Sequence, residues 1–138
     1  MTGVARKAVA VAVGLAVLVV GYSVASGPSP ALTALQADPM ANVVLETGTE
    51  VRRSEGDEGT TLGKPVYARI LLRFAPVEDR TDQQVFDELE GLAEASGWEL
   101  QPAGANGEHR SGAKQVDGRD LSLFLNIAID GDVTVILD

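Results

Sequence analysis

The amino-acid sequence predicts an α+β fold: an N-terminal membrane-spanning helix, then a mostly antiparallel sheet of about 5–6 strands with one helix packed on one face. Three observations carry this. An uncharged run from Ala8 to Ala25 follows Arg6 and Lys7; later stretches alternate apolar and polar residues with a period of two; and one amphipathic stretch stands behind a Thr81–Gln84 pair.

The N-terminal run, AVAVAVGLAVLVVGYSVA, is 18 residues long. At ~1.5 Å per residue it covers about 27 Å, slightly short of the ~30 Å hydrocarbon core of a bilayer. Starting the helix at Val4, with Arg6 and Lys7 snorkelling to the interface, closes that gap. The same residues also fit a signal peptide, with Ser23 and Ala25 as the small residues before a cleavage point. Both readings put the C-terminal part outside the cytoplasm, because the cationic flank is N-terminal. The first gives a single-pass cell-membrane protein with a cytoplasmic N-terminus, the second a secreted one. The predicted organisation is anchor or signal peptide at residues 1–25, a juxtamembrane linker at 26–48 and an extracytoplasmic α+β domain at 49–138.

Within the linker, Ser-Gly-Pro-Ser-Pro at 26–30 cannot continue a helix. Leu32, Leu35 and Met40 then line one side of a short helix that Pro39 ends or restarts. Thr49–Arg53 reads as a weak strand, and 53–65, polar with three glycines, as a loop. Residues 66–74 (VYARILLRF) alternate, with Val66, Ala68, Ile70, Leu72 and Phe74 on one face and Tyr67, Arg69, Leu71 and Arg73 on the other. Thr81 and Gln84 form a capping box, Val85, Phe86, Leu89, Leu92 and Ala93 make one stripe, and Gly97 supplies a left-handed stop, so a helix runs from about Asp82 to Ser96. Trp98–Gln101 is a second weak strand, 102–113 a loop, and 114–116 a short strand before Asp117-Gly118. The strands 121–129 and 133–137 both alternate. A two-residue Asp-Gly loop between them would set apolar against polar residues. A three-residue loop, Asp130–Asp132, pairs Ile129 with Val133, Ile127 with Val135 and Leu125 with Leu137.

Charge and composition narrow the chemistry. All 20 acids but only nine of the 11 bases follow residue 25, so that part carries a net charge of −11. Such a charge argues against nucleic acid as a partner. The chain has no cysteine, which removes disulfides, a lipidated cysteine and thiolate chemistry. His109 is the only histidine, and a zinc site needs three or four ligands. No G-x-S-x-G elbow, S-x-x-K pair or phosphate-binding glycine pattern occurs. Glu55, Asp57 and Glu58, or Asp130 and Asp132, are the carboxylates open to calcium, though neither set follows an EF-hand. No catalytic residue, cofactor or metal is expected.

The sharper expectation concerns the second sheet face. One helix buries one face, and the opposite face is not cleanly polar. Tyr67, Arg69, Leu71, Arg73, Phe124 and Ile136 are the candidate partner-binding residues, with Leu71, Phe124 and Ile136 as an apolar patch rimmed by the two arginines. A fold-back of residues 31–48, self-association or a separate envelope protein would each cover it. The Ala/Val-rich run, Ala37-Asp38-Pro39-Met40-Ala41 and the Ser96-Gly97-Trp98 ending together resemble small single-pass cell-envelope proteins of actinobacteria. The resemblance implies an envelope location, held in the membrane by residues 8–25, and no activity.

The sequence thus points to a membrane-tethered extracytoplasmic protein-interaction or accessory module without catalytic activity. The alternatives are a small ligand-binding or hydrolytic domain built on loop carboxylates with His109, or a cleaved, secreted protein.

Overall fold

The computed structural model describes residues 27–103 and 108–138. Ser29 opens the first helix, α1 (Pro30–Ala37): its hydroxyl accepts the Leu32 amide at 3.1 Å, and Pro30 occupies the first turn, where its missing N–H costs nothing. Asp38 ends α1, and Pro39 starts a 3₁₀ turn (Pro39–Asn42). Strand β1 (Gly48–Gly56) follows, then a two-stranded ribbon of β2 (Gly59–Thr61) and β3 (Lys64–Val66), and strand β4 (Arg69–Pro76). Helix α2 spans Asp82–Ala95. The remaining strands are β5 (Glu99–Leu100), β6 (His109–Val116), β7 (Arg119–Ile127) and β8 (Val133–Leu137).

Six strands form one antiparallel sheet in the order β1-β4-β8-β7-β6-β5. Both helices and the 3₁₀ turn lie on one face of it. Ile70, Leu72 and Phe74 of β4, Leu121, Leu123 and Leu125 of β7, and Val133, Val135 and Leu137 of β8 are buried there. They pack with Val85, Phe86, Leu89 and Ala93 of α2 and with Trp98. Leu32, Leu35, Met40, Ala41 and Leu45 belong to the same core. The stretch expected as a linker therefore fills the core beside α2 rather than leading up to it, and it does not fold across the opposite face.

The helix ends follow the sequence closely. The Thr81 hydroxyl accepts the Gln84 amide at 3.1 Å and the Gln84 side chain accepts the Thr81 amide at 2.8 Å, a reciprocal cap. At the other end Trp98 N–H reaches Ala93 O and Gly97 N–H reaches Glu94 O, with Gly97 at φ 92°, a Schellman motif. Turning the chain there drops the Trp98 ring into the core.

Four expectations need correction. Among the described residues no helix is long and apolar enough to cross a membrane. The longest, α2, has 14 residues and an acidic outer face. A membrane-spanning helix is thus no part of the described fold; the run at 8–25, on which that expectation fell, lies outside the described residues. The helical layer holds two helices and a 3₁₀ turn, not one helix. Residues 53–65 and 109–113 are not loops: the first stretch completes β1 and forms the ribbon, the second begins β6. Finally, the β7–β8 register pairs Ile127 with Val133, Leu125 with Val135 and Leu123 with Leu137.

The cause of that register is Gly131. It sits at φ 89° directly after a turn closed by its own amide on Ala128 O at 3.0 Å. A three-residue hairpin loop needs its left-handed residue in the third position, which makes the loop Ile129–Gly131. Shifting the pairing by two residues keeps every core side chain on its face but expels Ile129, which is fully exposed.

Candidate interaction face

The side of the sheet away from the helices carries five of the six residues singled out from the sequence, Arg69, Leu71, Arg73, Phe124 and Ile136, while Tyr67 lies outside the sheet between β3 and β4. In register across five strands run Ser54 (β1), Leu71 (β4), Ile136 (β8), Phe124 (β7) and Ser111 (β6). Leu71, Ile136 and Phe124 are therefore immediate neighbours, about 4.8 Å from strand to strand. Leu71 and Ile136 are half-buried by each other and their flanks, and Phe124 is 37% exposed. The His109 ring lies against Phe124, centroid to centroid 6.1 Å. Tyr67, 76% exposed, stands where the ribbon joins β4, and with Pro65, Val66, Ser54, Arg69 and Leu71 it lines a shallow groove of about 440 Å³.

The expected arginine rim is present but is not free. Arg69 donates from Nε to Asp138 Oδ1 at 2.6 Å and from Nη2 to Oδ2 at 3.2 Å. This two-point bond, with the charge of Asp138, raises the guanidinium further above its ordinary value. Arg73 donates to Asp132 at 2.8 Å and also meets Asp130, so the two hairpin-loop carboxylates neutralise an arginine. In the other acidic set Glu55 and Asp57 are committed as well. Glu55 faces Arg53 and the Gln36 amide, and Asp57 accepts the Ser29 hydroxyl and the Ser29 amide, which together hold its carboxyl below the usual range. Among the described residues no group of three or more His, Asp or Glu side chains is placed to hold a metal ion.

The residue that the sequence reading passed over is Asp38. Its carboxylate is 1% exposed and accepts from the Met40 amide at 2.9 Å, Trp98 Nε1 at 3.1 Å and Lys114 Nζ at 2.8 Å. The Lys114 ammonium also lies over the Trp98 ring at 5.7 Å. One side chain so joins the 3₁₀ turn, the end of α2 and β6. Beside it an open cleft of about 610 Å³ is walled by α1 and the β6–β7 turn. The only sequence sign of Asp38's role was its place between a helix and a proline, which marks a cap but not a buried ion pair.

A second carboxylate holds the start of β1 to α2. Burial pushes the Glu88 carboxyl up, but bonds from the Thr47 hydroxyl and from the amides of Glu46 and Thr47, with the charge of Arg80, outweigh it and hold it below the usual range. A group lowered on folding stabilises above its unfolded pKa and loses that contribution as pH falls through the folded one. Glu88→Gln should therefore be less stable than the parent at neutral pH and show a shallower loss of stability under acid. Equilibrium denaturation across the acid range reads both; parallel profiles would contradict it.

No family model, curated protein or solved structure matches this chain.

Proposed function

We propose that this chain is a non-enzymatic protein-interaction module and that the open sheet face is its recognition surface. The observation that carries the reading is the in-register row of Leu71, Ile136 and Phe124 on the face that, among the described residues, no helix covers. Its flanks are polar or ion-paired, the arrangement of an apolar centre within a satisfied rim. Rigid strands hold every member of the patch, so binding would require little ordering of the surface. The charge pattern of residues 1–25 supports a site of action outside the cytoplasm.

Phe124→Asp tests this directly. Phe124 contributes nothing to the core on the helix side, so the variant should keep its far-UV circular dichroism and melt close to the parent. It should also lose any complex that the affinity-tagged chain forms. Collapse of the fold in this variant, or an unchanged set of bound partners, would refute the assignment of the face.

A further inference from the structure

We infer that the occupant of the open face is a second copy of this chain, packed face to face about a two-fold axis that runs along β8 and over Ile136. The inference rests on the reading of this face as a recognition surface and names its partner. Its basis is the order of residues across the sheet. The central row, Ser54–Leu71–Ile136–Phe124–Ser111, has the same character read from either end. Rotation about β8 sets Ile136 over its own counterpart, Leu71 over Phe124 of the other copy, and Ser54 over its Ser111. Facing sheets keep their strands within about 30° of each other, which preserves this correspondence over three neighbouring strands.

The two adjacent rows satisfy the same operation. One reads Arg52, Arg73, Thr134, Asn126 and His109, so Arg73 meets Asn126, Arg52 meets His109 and Thr134 meets Thr134. On the other side Arg69, Asp138 and Ser122 lie in line, and Arg69 meets Ser122. The like-charge meetings both fall on the axis, Asp138 with Asp138 and, where the line of β8 continues, Asp132 with Asp132, and each is already bonded to an arginine of its own copy. The alternative axis, across the strands, would set Arg69 against Arg73.

Charge separates this partner from others. The chain carries −9 overall, yet on this face Arg52, Arg69 and Arg73 stand against Asp120, Asp130, Asp132 and Asp138, which leaves the face nearly neutral. Most of the remaining acids sit on the helices, the loops and the core side of β1, away from the contact. Repulsion between copies is therefore long-range and screened beyond ~8 Å at physiological ionic strength. The face measures roughly 24 Å by 17 Å, on the order of 400 Å² per copy against ~800 Å² in a standard interface, which makes the dimer a transient one.

The chain has no cysteine, so single-cysteine variants report position cleanly. Facing sheets lie ~10 Å apart, too far for a disulfide, and a short bismaleimide is the suitable crosslinker. Ile136→Cys should crosslink to itself. Leu71→Cys mixed with Phe124→Cys should give far more dimer than either variant alone. In sedimentation equilibrium the average mass should rise with concentration and with added salt, and Phe124→Asp should stay monomeric throughout. A parent chain that stays monomeric, with no Ile136→Cys dimer, overturns the self-pairing. If Phe124→Asp then still abolishes a complex with some other protein, the recognition surface stands and only its occupant changes; if it abolishes nothing, both readings fall. Leu71→Cys that crosslinks best with itself overturns the axis.

Discussion

A chain truncated to begin at Glu46 should lose cooperative unfolding altogether. Residues 30–45 supply Leu32, Leu35, Met40, Ala41 and Leu45 to the core, all between 0% and 9% exposed. Replacing one such leucine or methionine by alanine typically costs about 2–5 kcal/mol, and removing all of them at once exceeds the ~5–15 kcal/mol that holds a domain together. Their absence would also bare Ile70, Leu72 and the Trp98 ring, and strip Trp98 and Lys114 of the Asp38 carboxylate. Near-UV circular dichroism and the emission of Trp98, the only tryptophan, report the loss. The expected result is a flat near-UV spectrum, red-shifted emission and a broad, low-amplitude transition in urea. A sharp transition with the parent's denaturant dependence would show that β1 to β8 and α2 fold without the N-terminal segment.

How far the sequence spoke depended on where each strand hides its polar residues. Strands β4, β7 and β8 lie in the middle of the sheet, so their core positions are filled by Ile, Leu, Phe and Val and a period of two is plain. The outer strands are different. On β1 the core-side positions are Glu50, Arg53 and Glu55, joined to one another, to Gln36 and to Ala41 O, and a bulge between Glu50 and Arg52 breaks the alternation. On β6 they are Arg110, Gly112, Lys114 and Val116. Arg110 is tied to Glu90 of α2, and a Cβ on Gly112 would come within 2.8 Å of the Leu100 side chain. Charged side chains laid along the margin of a core cover it with their stems while their heads find partners. Local hydropathy cannot reveal that, because each partner comes from a distant part of the chain.

The open face was legible for the same reason that the central strands were. Parity along a strand fixes which side chains share a face, and that placed Arg69, Leu71, Arg73, Phe124 and Ile136 together, whereas Tyr67 falls before β4 begins. What parity cannot fix is register, and the correct alignment of β7 with β8 came from the backbone requirement of Gly131 rather than from the apolar pattern. Nor does parity show how a charge is spent. Arg69 and Arg73 read as a rim for a partner, whereas each is bonded within the chain.

Asp38→Ala should be the most damaging single substitution outside the apolar core, costing about 3–5 kcal/mol, since two buried donors left without an acceptor cost about 1–3 kcal/mol each and the ion pair is lost with them. On a domain of this size that is a fall in Tm on the order of 10–20 °C. The reason is arithmetic of partners: Trp98 Nε1, the Met40 amide and Lys114 Nζ all lose their acceptor at once, and the first two belong to buried residues. Asp38→Asn should cost less, since an amide oxygen still accepts from Met40 and Trp98 while the 19%-exposed Lys114 ammonium turns outward. Lys114→Met, combined with Asp38→Asn, should recover part of the sum of the single losses, because contacting residues couple by about 0.5–3 kcal/mol. Strict additivity would mean the ion pair holds nothing. An Asp38→Ala chain within ~0.5 kcal/mol of the parent would place Asp38 among ordinary surface residues. The contrast with Phe124→Asp is the sharpest consequence of the one-sided helical layer: a new charge on the open face should leave the fold standing, while a charge removed beneath the helices should bring it down.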